Sequence, residues 1–394
     1  MVTIEHRQWT ILLAIVCLLV GWNYWLNLFF FSTPFALFGV GFGDFEIFRL
    51  AAKSWLSHAN PYIGSRGFIY PPTSLPFFAL FAPLPFVLAN QLWWITYFAC
   101  FVLSSIALCL TLRSTDRRFL YFSILALLFL TSYPLLVLFQ LGQVDLLVEG
   151  FAIMSLAFQR LRHGYASAVM LSLATLMKGP AVILLVYFVL FRRDFKYLFR
   201  FLLSTTVAVG ISLFVIPVGV YEYYFLHVVP TFSGVINASS NQSVGGLVSI
   251  ANLSPIAPML SLVGFVLFVL FSWWAGSRRL PLLVENLSSD AMFLMNVLIM
   301  LLFGPRSIIY PYVWVIIPLA LFLSGILMEP VRIRYFALVG FAAFLLNSNW
   351  VFLRARVIQV LPFEVIGNIM ITLCLILFYV HPAAIIQDGK TKTK

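Results

Sequence analysis

The chain has 394 residues, of which 62% are hydrophobic and only 9% charged, with a mean hydropathy of +1.03. A soluble domain carries roughly 25% charged residues, so a water-exposed surface of ordinary composition is excluded and the chain reads as a polytopic membrane protein. The net charge of +11 does not point to nucleic acid, because the cations lie in short clusters between apolar runs, where they set topology.

Taken in chain order, the first apolar run, 9–31, follows Arg7 and has no small-residue cleavage site, so it reads as an anchored first helix rather than a removed signal. A polar stretch, 32–74, comes next. Further apolar runs lie near 91–112, 119–139, 144–159, 165–178, 180–191, 201–219, 257–275, 289–303, 311–327, 335–351 and 365–380. A helix needs about 20 apolar residues to cross the hydrocarbon core, so the shorter runs beside Gly142-Gln143 and Lys178-Gly179-Pro180 read as half-helices or tilted pieces around a cavity. The expected fold is all-α, with about twelve transmembrane helices in one integral membrane domain, 1–394, and both termini on one side. Within it, 1–250 reads as the catalytic part and 251–394 as C-terminal helices. Cys17, Cys100, Cys109 and Cys374 all fall in apolar runs without metal-type spacing and read as small core residues.

With a cytoplasmic N-terminus, 17 of the 24 cations fall on the cytoplasmic side, which satisfies the positive-inside rule and puts the 32–74 loop outside. The exceptions are Arg49, Lys53, Arg66, Lys178, Arg306, Arg354 and Arg356. Snorkelling or local ion pairs account for several of these. Lys178, set between apolar runs, is costly at such depth and implies a functional partner. The other long outside stretch, 221–256, runs through Asn237 to Asn241-Gln242-Ser243.

The outer loop concentrates chemistry in a chain poor in charge: Gly43-Asp44-Phe45-Glu46-Ile47-Phe48-Arg49, then Asn60-Pro61-Tyr62 and Phe68-Ile69-Tyr70-Pro71-Pro72. The spacing predicts a short amphipathic helix near 45–57 along the outer interface, burying Phe45, Phe48 and Ala52 with Trp55 beside them. A carboxylate at a membrane–water boundary is partly desolvated and therefore more basic, which suits a general base for an acceptor hydroxyl. Asp44 is that candidate, and a helix N-cap is its plainer role. Glu46 suits an ion pair with Arg49 or Lys53 at helical spacing. Asp-X-Glu also admits a metal, but no third carboxylate or His lies nearby, and no metal or other cofactor is expected. A departing lipid phosphate develops negative charge that Arg49, Lys53, Arg66, Lys178 or Arg306 would stabilise. No glycine-rich nucleotide loop, metalloprotease helix or serine-hydrolase elbow is present, so a nucleotide sugar is not the expected donor.

As a set, Gly43-Asp44-Phe45, Asn60-Pro61-Tyr62, Phe68-Ile69-Tyr70-Pro71-Pro72, Gly142-Gln143, Lys178-Gly179-Pro180 and Asn241-Gln242-Ser243 resemble glycosyltransferase family 87 over about residues 40–250. The resemblance implies a fold of the GT-C type and inverting transfer without a metal on the extracytoplasmic face of the cell (inner) membrane. The expected reaction moves a hexose, mannose first, from a polyprenyl-phosphate carrier to a glycan or glycolipid acceptor. It implies Asp44 as the catalytic base and Tyr70, Gln143, Asp145, Lys178, Asn241, Gln242, Arg306 and Tyr310 as substrate-binding candidates beside Glu46, Arg49 and Arg66. Two positions depart from the family pattern: Asp145 stands where Asn is usual, and Tyr310 where a His is expected. A transporter or flippase of lipid-linked sugars, or a lipid-glycan ligase or polymerase, remains the alternative. Transporters tend to show repeats and mid-membrane charges, whereas here the ionisable residues gather at the outer ends of spans.

Overall fold

The structure is a computed structural model that describes residues 43–64, 67–233, 241, 243–250, 256–277, 282–304, 307, 310–328, 339 and 363–380. Among these residues it is helical throughout, with no strand. The expected first span, 9–31, with Cys17, the run at 335–351 apart from residue 339, and Arg66, Gln242 and Arg306 lie outside the described residues.

The outer loop folds as α1 (Gly43–Leu56), α2 (Leu75–Ala79) and the short 3-10 turn Pro72–Ser74. Asp44 and Glu46 in the first turn of α1 and Lys53 in its last turn complement the helix dipole. The helix stops because His58 turns left-handed at φ 59°. Its apolar stripe is buried as expected, Phe45, Phe48, Ala51 and Ala52 all being inaccessible, but the covering surface is protein. Phe45 stacks on Trp93 at 4.9 Å and Phe48 on Phe78 at 4.7 Å.

Next come α3 (Phe86–Leu110), α4 (Thr115–Thr131), α5 (Tyr133–Leu141), α6 (Asp145–Arg160) and α7 (Gly164–Met177). The single run expected at 119–139 is two helices. Ser132 leaves the helical region and accepts a hydrogen bond from the Leu135 amide, while Pro134 sits in the first turn of α5. The expected piece 180–191 is irregular, a 3-10 turn Gly179–Leu184 followed by a π-helical turn Val186–Phe191. Beyond it lie α8 (Phe195–Leu213), α9 (Val218–Tyr223), α10 (Val244–Ile250), α11 (Ala257–Ser277), α12 (Leu282–Phe303), a 3-10 turn Tyr310–Val315, α13 (Ile316–Met328) and α14 (Phe363–Val380).

Among the described residues four helices are long and apolar enough to cross a membrane: Phe86–Leu110, Phe195–Leu213, Pro258–Ser277 and Pro311–Met328. Shorter apolar helices, including Gly164–Met177 and Val365–Val380, accompany them. At the centre α6 packs between α3 and α7, and α13 packs on α4 and α12. The α3–α6 contact is close because Gly150 leaves room; a Cβ there would meet Cys100 Sγ at 2.4 Å. Cys100, Cys109 and Cys374 are buried core residues that form no disulfide among the described residues. By contrast α8 and α11 present leucines, valines and phenylalanines outward, as lipid-facing helices do.

Candidate active site

The site forms where α1, the 68–74 segment, the α5–α6 turn and the end of α7 meet. Gly142 closes α5 in the left-handed conformation, φ 68°, which a residue with a Cβ adopts only at a cost. Its carbonyl accepts a 3.0 Å hydrogen bond from Trp93 Nε1, so the turn is pinned to α3. The turn projects Gln143 toward α1, and Gln143 Nε2 donates to Asp44 Oδ2. On its other side Gln143 Oε1 accepts from the Tyr70 hydroxyl at 2.7 Å. Tyr70 is held in turn by the Tyr62 hydroxyl, which donates to its carbonyl at 2.8 Å. Thr73 Oγ1 ties the same segment to the Leu176 carbonyl at the end of α7, 2.7 Å away. Asn60-Pro61-Tyr62 and Phe68-Ile69-Tyr70-Pro71-Pro72, far apart in the chain from Gly142-Gln143, are thus one layer around Asp44.

Asp44 is the second residue of α1 and is partly buried. Among the described residues its Oδ1 has no hydrogen-bond partner. Burial lifts its carboxyl above the ordinary carboxylate range; the Gln143 hydrogen bond and the Lys178 charge oppose this, and the Asp145 charge adds to it.

Lys178 follows α7, and its Nζ donates to both oxygens of Asp145 at 2.6 and 2.7 Å. Asp145 opens α6, is fully buried, and also accepts from Trp314 Nε1 at 3.0 Å. Lys178 Nζ also lies 6.0 Å from the centre of the Tyr70 ring. Asp145 is thus an ion-pair partner of Lys178.

Glu46 and Arg49 form the ion pair that their helical spacing suggested. Arg49 is buried, with Nη1 on Glu46 at 2.7 Å, Nη2 on the Leu84 carbonyl at 2.6 Å and Nε on the Phe81 carbonyl at 3.3 Å. Its donors staple α1 to the α2–α3 connection. Asn241 is buried at the start of α10, where its Oδ1 accepts from Ser243 Oγ at 2.8 Å; a Cβ at Gly246 would meet the Asn241 carbonyl oxygen at 1.9 Å. The backbone of Tyr310 opens the 3-10 turn Tyr310–Val315, which packs on α5 and α6 beside Asp145. Sequence reasoning missed Trp93 and Trp314. A tryptophan in an apolar run must find an acceptor for its N–H, but nothing in the local pattern names that acceptor.

Residues 68–305 match the model of glycosyltransferase family 87. The match reaches further along the chain than the resemblance read from the motifs, and it begins after α1, so it does not cover Asp44. Among curated proteins none matches the sequence. The chain is similar to a solved structure, that of ArnT from Cupriavidus metallidurans in the apo state, at 14% identity and a TM-score of 0.37, over 91% of this chain and 77% of that one. With more than half of its length matched, the chain belongs to glycosyltransferase family 87 and is a membrane glycosyltransferase.

Proposed function

We propose that the protein transfers a hexose, mannose first, from a polyprenyl-phosphate carrier to a glycan or glycolipid acceptor at the extracytoplasmic face of the inner membrane. Asp44 is the general base. The acceptor hydroxyl gives its proton to Asp44 Oδ1 while its oxygen forms the new bond to the anomeric carbon. The bond from that carbon to the phosphate oxygen breaks with its electron pair, so polyprenyl phosphate leaves, the configuration inverts, and Asp44 later releases the proton to water.

The observation that supports this reading is the state of Asp44: a partly desolvated carboxylate fixed at Oδ2 by Gln143 with Oδ1 unengaged. Lys178, paired with Asp145 beside Asp44, is proposed to supply positive charge near the donor phosphate. Arg66 and Arg306 are the further cations proposed for the phosphate, and Asn241, Gln242 and Tyr310 are proposed on the acceptor side. Around twelve crossings with an outward-facing site would keep the isoprenoid tail in lipid while its phosphate meets Asp44.

The test uses detergent-purified protein, polyprenyl-phosphate-[14C]mannose and a membrane glycolipid fraction as acceptor. Labelled glycolipid from the wild type, and none from Asp44→Asn, is the expected result. Detergent activity excludes pure translocation, which needs a sealed bilayer. Full activity of Asp44→Asn, with donor turnover verified, would overturn the assignment.

A further inference from the structure

The structure assigns Gln143 and Tyr70 a positioning role, in which the Gln143 amide, locked by the Tyr70 hydroxyl, selects Oδ1 of Asp44 as the oxygen that takes the substrate proton. This inference rests on Asp44 being the base, and it changes the task of Gln143 from binding substrate to orienting the group that takes the substrate's proton.

Both ends of the amide are occupied. Nε2 donates to Asp44 Oδ2 and Oε1 accepts from Tyr70 at 2.7 Å. Reversing the amide would set Oε1 against the Asp44 carboxylate, two acceptors facing each other, so the carboxylate enforces one orientation and the Tyr70 hydroxyl donates to the oxygen this leaves on the other side. Gln143 and Tyr70 are both buried, so water does not compete for these bonds. The Tyr62 hydroxyl holds the Tyr70 backbone and the Trp93 indole holds the Gly142 carbonyl, so neither end of the lock is on a loose segment.

The arrangement also fits both protonation states. Oδ2 faces an N–H donor whether Asp44 is charged or neutral, so the incoming proton is directed to Oδ1 and the lock need not rearrange during turnover. The charged groups that act on Asp44 from the surrounding described elements are Lys178 at the end of α7 and Asp145 at the start of α6. On its own helix Glu46 and Arg49 are paired with each other.

The experiment measures kcat, KM and the acid limb of the pH–rate profile for Gln143→Met, Tyr70→Phe and the double variant, with Asp44→Asn as reference. Gln143→Met keeps length but cannot donate. Misplacement of a reacting group by an ångström costs up to about 10²-fold, so kcat should fall roughly 10–100-fold with KM changed less than about twofold. Its acid limb should move to higher pH, because the hydrogen bond that lowers the Asp44 pKa is gone. Tyr70→Phe should lower kcat by a smaller factor and move the limb in the same direction. Because Tyr70 acts through Gln143, the double variant should be no slower than Gln143→Met alone. Losses that multiply in the double variant, or an acid limb at the wild-type position in Gln143→Met, would overturn the inference. If Gln143→Met fails to fold, Tyr70→Phe, which loses one oxygen, decides by the same two readouts. An active Asp44→Asn instead removes the base reading itself, whereas an inactive Asp44→Asn with unmoved limbs in the Gln143 and Tyr70 variants removes only the positioning role.

Discussion

Helix α6 carries a buried charge cluster at each end, about 22 Å apart at 1.5 Å per residue, and the two are built for opposite purposes. At one end Asp145 pairs with Lys178, and the partly exposed Asp44 stands nearby with one oxygen unengaged. At the other end Asp290, fully buried, receives both Arg117 and Arg160, and Arg117 also reaches the Leu321 carbonyl. The second cluster is closed: its carboxylate has a cation on each oxygen. It fastens α4, α6 and α12 together. The first is open, with a carboxylate kept above its ordinary pKa by burial rather than saturated by cations. A buried carboxylate saturated by cations has little basicity left for a substrate, so openness, rather than the presence of charge, is what suits the Asp44 end to the proposed role.

That comparison breaks if the two ends fail in the same way when mutated. Asp44→Asn should lose roughly 10²–10⁴-fold in turnover, about 3–5.5 kcal/mol of transition-state stabilisation, while its thermal unfolding in detergent stays at or slightly above that of the wild type. The sign follows from the raised pKa. A carboxyl whose pKa is higher folded than unfolded favours folding only while protonated, so at neutral pH its charge opposes folding and the neutral amide relieves it. Asp290→Ala should do the reverse. It strands two guanidinium groups in a buried site, a loss of about 3–5 kcal/mol of stability, read as a lower Tm and reduced yield, with kcat of the surviving folded protein unchanged. Equal loss of fold in both variants would show that Asp44, too, is a fastening.

How much of this was legible in the amino-acid sequence depends on how far apart in the chain the partners lie. The stripe of α1, with Phe45, Phe48 and Ala52 buried, follows from helical spacing in the outer loop of an otherwise charge-poor chain, and so does the Glu46–Arg49 pair. That the stripe meets Trp93 and Phe78, as opposed to lipid, did not follow, because spacing shows which face is apolar but not what covers it. Lys178 was marked by its cost, and its partner lies across a tight α6–α7 hairpin that brings the start of one helix to the end of the other. Gln143 and Asp44 are 99 residues apart and Arg117 and Asp290 are 173 apart, and no local pattern joins such pairs. Arg117 and Arg160 counted only as topology markers in the sequence. The break at Ser132 was present in the serine–proline spacing, but hydrophobicity runs unbroken through it.

A smaller effect sharpens the contrast within the open end itself. Glu46 is two residues from Asp44, yet its carboxylate answers Arg49 at 2.7 Å, and its side chain is 36% exposed. Arg49 keeps two backbone carbonyls without it. Glu46→Gln should therefore cost no more than about 1 kcal/mol of stability, as exposed pairs do, and leave turnover within about threefold of wild type, where Asp44→Asn is inactive. A Glu46→Gln variant that loses turnover while Asp44→Asn keeps it would exchange the two roles.

The finest test concerns Asp145, the position at which this chain departs from the pattern of the family it belongs to. Its charge raises the Asp44 pKa and also occupies Lys178, whose charge lowers it. Asp145→Asn removes the first influence and releases the second, so both changes lower the Asp44 pKa. The amide oxygen can still accept from Lys178 and Trp314, so one of the two Lys178 hydrogen bonds is lost and the other two contacts are kept. A base with a lower pKa stays deprotonated to lower pH, and the acid limb of the pH–rate profile should shift downward, opposite in direction to Gln143→Met. Because Lys178 then has more charge to offer a phosphate, the KM for the lipid-linked donor should fall in the same variant, and the gain should shrink with added salt if Lys178 remains partly accessible. An acid limb that moves upward would mean that Asp145 does not act on Asp44 through its charge. A downward limb with an unchanged donor KM would separate the two influences, leaving Asp145 as a tuner of the base and Lys178 as its counter-ion alone.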